Sequence, residues 1–538
     1  MTEHRGIGIF PSIAFGNIHL LMHALEPSEK EAVLSSAEEW VRFSKAKVQA
    51  GEDLTTLFDK TKKELGEEQA MIIDVQRMML DDGDFNDAIE ALIKEDGFSA
   101  SSAVLQVGGQ FAELFASIDD PYMQARATDV TDVSRRVADV LLGIKREITL
   151  SESAVIVAED VTPSETLQLD RSKLVAFVMK QGSESSHTAI LAKSIGIPCL
   201  VKTEIKLDPN IDGKTIIVDS AEGICYIEPD EKTLKAMTEK KNNADKQREA
   251  LLTLKGQKSV TKSGKEVQVF ANIGGVEDID SVLQNDAEGI GLFRSEFLYL
   301  GRQSYPTEDE LFEAYRKVVV AMGDKTVIIR TLDLGADKQV DYFELDQEEN
   351  PALGLRGIRI CIERPDVFRT QLRAIYRASA YGNVGIMFPM IVSEWEIRHC
   401  KEQANECIRE LKAEGVHVKE VPLGIMIETP ASVIISDRLA KEVDFFSVGT
   451  NDLTQYTLAI DRTNNKLEQF YDSHHPAVLE MLRTIANSAK KNGIWAGICG
   501  ELASDTTLTQ QFVEMGFSEL SVSASSVLEV RKKIREIE

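Results

Sequence analysis

Two arginines stand at the ends of neighbouring strand candidates, where they could together bind an anion. Arg294 follows the apolar run in GLFRSE, and Arg330 follows the apolar run in IIRTLD. Two buried guanidinium groups repel each other unless an anion lies between them. Phosphate is the natural anion, because guanidinium binds it through two parallel hydrogen bonds. The pattern therefore predicts a phosphate site, with separate salt bridges to nearby acids as the alternative.

Acidic, amide and thiol side chains follow other strand candidates of the same region. Glu428 lies in GIMIETPAS, and Asp452 lies in SVGTNDLTQY. Two carboxylates beside a phosphate site favour a shared Mg²⁺, although one of them could instead act as a general base. Asn272, Asn451 and Cys499 occupy further strand ends. These residue types suit a site that handles a phosphorylated substrate.

A separate segment, QGSESSHTAILAKSIGIP, places His187 at the predicted start of a helix. Ser185 or Ser186 can cap this helix, and Gly196 followed by Pro198 ends it. A helix N-terminus offers free N–H groups and the positive end of the helix dipole, which would stabilise a phosphorylated imidazole. A lone histidine is more often structural, so the residues alone leave both interpretations open.

The strand ends need a scaffold, and the C-terminal half of the chain supplies an alternation of apolar strands with amphipathic helices. This pattern and the length of residues 260–538 predict a TIM barrel, in which active sites lie at the C-terminal ends of the strands. A doubly wound open sheet is the runner-up, but no Gly-rich turn follows a first strand. The strand candidates are Val267–Ala271, Gly289–Phe293, Thr326–Ile329, Gly385–Phe388, Leu423–Ile427, Asp444–Val448, Ile494–Ile498 and Glu519–Val522.

The rest of the chain divides into regions that differ in their pattern of apolar and charged residues. Val130, Val133 and Val137 have the spacing of one helix face, which predicts a helical bundle. Short apolar runs from about Ser153 predict a compact α/β unit, and strand-like residues 1–20 suggest that the bundle is inserted within it. We therefore predict a multidomain α/β protein. Its parts are an α/β domain (1–21 with 149–229), a helical insert (22–148), a linker helix (230–258) and the barrel (259–538).

Composition narrows the possible partners and location. The 538-residue chain has a formal net charge of −27, which argues against nucleic acid or an anionic membrane as partner. It has no apolar run of about 18 residues and no signal peptide, so we expect a cytoplasmic protein without membrane insertion. Its six cysteines form no CxxC pair, which predicts reduced, mostly buried thiols.

Beyond these local patterns, the sequence closely resembles Enzyme I of the bacterial sugar phosphotransferase system, the family of phosphoenolpyruvate-protein phosphotransferases. The resemblance runs nearly end to end, and its barrel motifs are long and specific. The segments that carry it include AEDVTPSETLQLD, SSHTAILAKSIGIP, AEGIGLFRSEFLY, RTLDLGADK, ENPALGLRGIRI, EVDFFSVGTNDLTQYTLAIDR and GICGELA.

The resemblance implies a role for each matching position. His187 is similar to the phosphorylated nucleophile, and Thr166 is similar to the residue that holds it. Cys499 resembles the acid that protonates the enolate, and Glu428 with Asp452 resembles the Mg²⁺ ligands. The residues that resemble the phosphate clamp and its assistants are Arg294, Arg330, Arg462, Arg356, Lys338 and Asn451.

The resemblance also implies the reaction and the partners. The enzyme would phosphorylate itself with phosphoenolpyruvate, release pyruvate, and pass the phosphoryl group to the histidine of the carrier HPr, the first step of sugar uptake. The α/β domain would swivel to reach the barrel, HPr would dock on the helical insert, and the barrels would form a homodimer. Two alternatives stay open: a Mg²⁺-dependent barrel lyase or aldolase, and a slow regulatory paralogue that binds HPr as a sensor.

Overall fold

The structure is a computed structural model of the chain, and it contains two compact units, Met1–Asp245 and Lys246–Glu538. Each unit is described below by itself. The residues that the structure describes are 1–21, 34–65, 67–118, 121–144, 150, 153–162, 165–166, 169–170, 172–183, 186–300, 302–335, 340–346 and 348–538.

The first unit contains the predicted helical bundle. The valine stripe at Val130, Val133 and Val137 is buried against Phe43 and Ile89, so the helical spacing in the sequence identified the core face. The third helix is capped by the side chain of Asp82, which accepts a hydrogen bond from the backbone N–H of residue 85. The helices are α1 (Ser36–Leu65), α2 (Glu67–Leu80), α3 (Gly83–Lys94), α4 (Ala100–Ser117) and α5 (Pro121–Leu142).

An eight-stranded sheet forms the α/β part of this unit. Its strands are β1 (Thr2–Arg5), β2 (Ile7–Gly8), β3 (Ile13–Leu21), β4 (Ala154–Ala158), β5 (Leu174–Met179), β6 (Cys199–Val201), β7 (Thr215–Asp219) and β8 (Ile224–Ile227), in the order β1-β8-β7-β3-β4-β5-β6-β2. Strand β3 pairs in parallel with β4, with Ile18 opposite Val155. Helices α1–α5 lie between these two strands in the sequence, so the bundle is an insertion, as the strand-like N-terminus predicts. Helix α6 (His187–Ile195) follows β5.

The charged segment after the sheet is helix α7 (Glu231–Leu252), as predicted, and no residue of it is buried. The helix ends before residue 258, the predicted limit of the linker helix. Within the first unit, Lys240 donates to the buried carboxylate of Asp219 at 2.6 Å. Because an exposed helix gains little stability from packing, this ion pair helps to hold α7 against the sheet.

The second unit is a closed barrel of eight parallel strands, which confirms the TIM-barrel prediction and shows that the open-sheet alternative is wrong. Strand β9 pairs with both β10 and β16, which closes the ring. The strands are β9 (Gln268–Ile273), β10 (Ile290–Arg294), β11 (Thr326–Arg330), β12 (Asn383–Phe388), β13 (Leu423–Ile427), β14 (Phe445–Val448), β15 (Trp495–Ile498) and β16 (Glu519–Ser523).

Helices surround the barrel and contribute to its hydrophobic core. They are α8 (Ile279–Gln284), α9 (Glu308–Met322), α10 (Ile358–Glu363), α11 (Pro365–Ser379), α12 (Glu394–Ala413), α13 (Pro430–Ile434), α14 (Ser436–Leu439), α15 (Thr450–Leu458), α16 (Pro476–Asn492), α17 (Thr509–Met515) and α18 (Val527–Glu536). Inside the barrel, Leu292, Ile328, Met387 and Phe445 form a separate buried cluster with Cys499. The interior is therefore packed, and the strand ends above it are the place for chemistry.

Two further predictions concern apolar segments and thiols. In the part of the chain that the structure describes, no helix has both the length and the apolar character needed to cross a membrane. All six cysteines are free thiols and buried, as the absence of paired spacing predicts. The cytoplasmic location stays a prediction.

Candidate active site

The two predicted arginines lie side by side at the C-terminal edge of the barrel. Arg294 ends β10 and Arg330 ends β11, and the register of these parallel strands places the two residues opposite each other. The carboxyl ends of parallel strands share one edge of a sheet, so both positions open onto the mouth of the barrel.

Arg330 is buried, and two acids compensate its charge. Its guanidinium ion-pairs with Glu296 and, at 2.8 Å, with Asp333. Burial alone would lower the pKa of the Arg330 guanidinium, but the carboxylates of Asp333 and Glu296 raise the pKa above its usual value. The alternative of salt bridges to nearby acids is therefore right for Arg330, whose charge is fixed and held in place.

Arg356 is held in the same way. Its guanidinium contacts Asp333 at 3.3 Å and Asp452 at 3.2 Å, and it donates to the hydroxyl of Tyr456 at 3.0 Å. Burial opposes the charge, and the neighbouring carboxylates raise the pKa of Arg356 despite it. Asp333 thus contacts both Arg330 and Arg356 and links their side chains into one buried network.

Arg294 and Arg462 differ from these two. Arg294 is half-buried, and its guanidinium forms no ion pair or hydrogen bond with any residue that the structure describes. Arg462 is exposed; its backbone N–H donates to the side chain of Gln455 at 3.0 Å, while its guanidinium has no acidic partner within the described ranges. The mouth therefore holds positive charge available to an anion.

Glu428 follows β13 and is fully buried. One carboxylate oxygen accepts a hydrogen bond from the backbone N–H of Met390, a residue with a left-handed φ of 55° that aims this N–H at the acid. The other oxygen, Oε2, has no hydrogen-bond partner among the described residues. Burial and the nearby carboxylates of Asp452 and Asp333 together raise the pKa of Glu428 to about 8, although Arg330 and Arg356 oppose the shift.

Asp452 lies in the first turn of α15 and is buried near Glu428. A buried carboxylate oxygen without a donor, next to two other carboxylates, is a position that a cation would stabilise. Mg²⁺ is bound through one or two carboxylates and keeps the remaining positions for water and substrate oxygens, so Glu428 with Asp452 fits it. A metal cage made only of protein ligands would require a cluster of three or more His, Cys, Asp or Glu side chains. The described residues contain no such cluster.

Cys499 follows β15, and its side chain is only 2% exposed. The thiol donates to the backbone carbonyl of Val448 at 3.5 Å. Burial raises the pKa of Cys499 to about 12, so the sulfur is a protonated thiol at neutral pH. Such a group can give a proton but is a poor nucleophile.

Asn451 is fixed at the same edge. Its side-chain amide donates to Glu501 at 3.0 Å, and its carbonyl oxygen accepts from the backbone N–H of Glu501 at 3.0 Å. Asn272 donates to the backbone carbonyl of Cys499 at 3.0 Å. The two amides therefore fix the loop that carries Cys499.

The histidine segment lies in the first unit. Helix α6 begins at His187, with Ser186 as its N-cap and Gly196, at φ 71°, as its C-cap, which confirms the predicted helix limits. Residues 184 and 185 of this segment and the predicted barrel residue Lys338 lie outside the described residues, and so does the side chain of His187. Thr166 is buried, and its backbone N–H donates to the carbonyl of Thr162 at 3.0 Å.

Sequence reasoning missed the acids that hold the arginines. Asp333 and Glu296 each stand within three residues of an arginine, in RTLDLG and LFRSE, and this proximity was the available signal. Asp333 lies three residues after the end of β11, and Glu296 lies two residues after the end of β10, so both are near the mouth. The site thus contains more negative charge than the predicted clamp alone.

Three family models match the chain. The model described as "PEP-utilising enzyme, PEP-binding domain" matches residues 248–538, which is more than half of the chain. The model described as "PEP-utilising enzyme, N-terminal" matches residues 5–126, and "PEP-utilising enzyme, mobile domain" matches residues 150–223.

Curated relatives match over the full length. The chain is 39% identical to the phosphoenolpyruvate-protein phosphotransferase of Staphylococcus carnosus over 99% of this chain and 94% of that protein. It is 39% identical to the protein of that name from Bacillus subtilis, over 100% of this chain and 95% of the relative. A solution NMR structure of an Enzyme I protein is 32% identical and matches with a TM-score of 0.36, covering 45% of this chain and 99% of that one.

Proposed function

This chain belongs to the family of phosphoenolpyruvate-protein phosphotransferases and is an enzyme, and we propose that it phosphorylates itself on His187. The donor is phosphoenolpyruvate, the released product is pyruvate, and the phosphoryl group passes to the histidine of HPr, as the first step of sugar uptake. The observation that supports this proposal is the barrel mouth, where Arg294, whose guanidinium pairs with no described residue, lies opposite the fixed Arg330 in the strand register.

Substrate binding follows from the two kinds of arginine. Arg294 and Arg462, whose guanidinium groups pair with no acid that the structure describes, would bind the phosphate, and Arg330 and Arg356 would provide fixed guanidinium groups around it. Fixed and free guanidinium groups together neutralise a dianion with little reorganisation, which is what phosphoryl transfer requires. Asn451 and Lys338 complete the proposed contacts with phosphoenolpyruvate.

Glu428 and Asp452 would hold Mg²⁺. A bound Mg²⁺ neutralises charge on phosphate and carboxylate oxygens. The orphaned Oε2 of Glu428 supports this assignment, because a buried carboxylate oxygen with no donor gains from a cation. The crowding of carboxylates also disfavours the general-base alternative, since a base would need only one of them.

The chemistry then needs a nucleophile and an acid. An imidazole nitrogen of His187 attacks phosphorus, and the bond between phosphorus and the enol oxygen breaks, with its electron pair left on that oxygen as the enolate. The proton on the other imidazole nitrogen is released to water. The Cys499 thiol gives its proton to the terminal carbon of the enolate, which forms the methyl group of pyruvate. Burial that keeps Cys499 protonated supports this role.

The first unit supports the nucleophile and the onward transfer. His187 starts a capped helix whose free N–H groups favour an anion, and Thr166 is proposed to position the imidazole. HPr is proposed to dock on the helical insert, where Asp81 and Asp84 are exposed and would suit a basic partner. The domain limits predicted above, a barrel-mediated homodimer and a cytoplasmic location belong to the same proposal.

Two rival functions predict different products. A lyase or aldolase would cleave a carbon–carbon bond and label no histidine, and a regulatory paralogue would turn over very slowly. We would incubate the protein with ³²P-phosphoenolpyruvate and Mg²⁺, with and without HPr, and follow label and pyruvate together. We expect one pyruvate per phosphoryl group and movement of the label to HPr. Pyruvate without protein label would contradict the proposal.

A further inference from the structure

Gln371 is a fully buried amide in the middle of α11 that the proposed mechanism does not use. Its side chain contacts the segments that follow strands β10 and β11, which end at Arg294 and Arg330. Removing a polar side chain from water is unfavourable unless hydrogen bonds replace those that water made. Both the oxygen and the nitrogen of the Gln371 amide have such partners. The amide is therefore a satisfied bridge between the two segments.

The chemistry of the partners fixes the direction of each hydrogen bond. The backbone N–H of Leu332 can only donate, so the amide atom that faces it at 2.8 Å is the oxygen Oε1. The amide nitrogen Nε2 therefore donates its two protons, to the hydroxyl of Ser295 at 2.8 Å and to the hydroxyl of Tyr315 at 3.0 Å. The Ser295 hydroxyl donates in turn to the backbone carbonyl of Arg330 at 2.5 Å, because a carbonyl can only accept.

These bonds lie just beyond the end of the strand pairing. The last pair in the register of β10 and β11 is Arg294 with Arg330. Ser295 and Leu332 follow these positions in the chain, and both are buried, as Gln371 is. The backbone spacing beyond the last strand pair therefore depends on the amide of Gln371.

This spacing matters most for Arg294. Arg330 is held by two buried acids, whereas the guanidinium of Arg294 has no ion pair among the described residues. The backbone therefore has the larger part in placing Arg294, and the next residue along the chain is Ser295, to which Gln371 donates. The bridge thus restrains the separation of the two arginines, which decides whether one phosphate can contact both.

We propose that Gln371 is a positioning residue for the phosphate of phosphoenolpyruvate, and that it acts by setting the spacing between Arg294 and Arg330. This inference rests on the proposed function, in which these two arginines bind the phosphate. Gln371 itself contacts no substrate atom. Paired hydrogen bonds from guanidinium to phosphate require a defined geometry, and a misplacement of about 1 Å can lower the rate by about 10²-fold.

The test compares Gln371→Met and Ser295→Ala with the wild type, as full chains with phosphoenolpyruvate, Mg²⁺ and HPr. Methionine keeps the length and packing of glutamine but makes none of its three hydrogen bonds, and alanine removes the hydroxyl next to Arg294. We expect kcat/KM for phosphoenolpyruvate to fall by about 10²-fold in Gln371→Met, mainly through a higher KM. The inhibition constant of pyruvate, which has no phosphate, should not change.

Ser379→Ala is the matched control, because Ser379 lies on the same helix and is equally buried. Its hydroxyl accepts the backbone N–H of Lys419 at 3.0 Å, and Lys419 precedes β13, at the edge of the barrel opposite the mouth. This variant should lose stability, as Gln371→Met does, but keep the wild-type KM. Because Gln371 and Ser295 share one bridge, the double variant should lose less than the product of the two single losses.

Each other outcome overturns a defined claim. A wild-type KM in folded Gln371→Met would overturn this inference, and so would an equal rise of KM in Ser379→Ala, an equal weakening of pyruvate inhibition, or single losses that multiply fully. If Gln371→Met does not fold, a wild-type KM in Ser295→Ala would overturn the inference. A wild-type protein that forms no pyruvate would overturn the proposed function itself. Normal wild-type turnover with an unaffected Gln371→Met would overturn this inference alone.

Discussion

The carboxylate of Asp333 ion-pairs with the guanidinium of Arg330 at 2.8 Å. The same carboxylate contacts Arg356, so one buried acid holds two cations of the barrel mouth in fixed positions. Arg294, next to Arg330 in the strand register, has no such partner in the described part of the chain. The mouth therefore combines two fixed guanidinium groups, each paired with buried acids, with a third guanidinium that pairs with no described residue.

Removing the shared acid should destabilise the barrel. We expect Asp333→Asn to lower the free energy of unfolding by about 3 kcal/mol, since it leaves two buried guanidinium groups undercompensated. The KM for phosphoenolpyruvate should rise as the arginines lose their positions. Denaturant titration and steady-state kinetics measure the two effects. Asp309→Asn, which removes an exposed ion pair with Arg377, is the control and should cost less than about 1 kcal/mol.

Glu428 should control the need for Mg²⁺. We expect Glu428→Gln to raise the Mg²⁺ concentration for half-maximal activity by about 10- to 100-fold, because the amide offers a neutral ligand. Thermal stability without Mg²⁺ should not fall, since the change removes a crowded buried carboxylate. Glu442→Gln, at a peripheral ion pair with Arg398, should leave the Mg²⁺ requirement unchanged. An equal Mg²⁺ requirement in Glu428→Gln and wild type would remove Glu428 from the metal site.

Cys499 should affect protonation and not binding. We expect Cys499→Ala to slow pyruvate formation by roughly 10²–10⁴-fold, the usual range for a general acid. Substrate binding should change little, because the neutral thiol is not a charge partner of the phosphate. Single-turnover kinetics and equilibrium binding of phosphoenolpyruvate separate the two. Unchanged turnover would mean that water or another group supplies the proton.

Glu519 should leave a signature in the pH dependence of stability. The carboxyl group has an ordinary pKa of 4.5, and burial raises this pKa in the folded state. Its contribution to stability is therefore fully present below the unfolded pKa and is lost as pH rises through the folded pKa. As pH rises above about 5, the wild type should lose stability relative to Glu519→Gln by up to about 1.4 kcal/mol per pH unit. Denaturant titrations that stay parallel across this range would show that Glu519 is ionised.

The sequence predicted the strands and their ends well, because apolar runs and the polar residues that follow them are local signals. Three features could not be predicted, because each depends on residues that are distant in the sequence. The buried carboxyl group of Glu519, at the start of β16, occupies space that exists because Gly291 and Gly497 on two other strands have no side chain. An acid in a loop after a strand, such as Asp333, usually faces water, and its burial here depends on its contact with the distant Arg356. Helix α7 ends early because Arg531 binds the carbonyl of Leu254 and Asp286 accepts the N–H of Gly256.

The central claim is that His187 carries the phosphoryl group, and labelling with ³²P-phosphoenolpyruvate tests it most directly. The wild type should take up label that is lost in acid and kept in alkali, as expected of phosphohistidine. His187→Ala should take up none while still binding phosphoenolpyruvate, because the substrate residues belong to the barrel. Normal labelling of His187→Ala, or an acid-stable label on the wild type, would contradict the account.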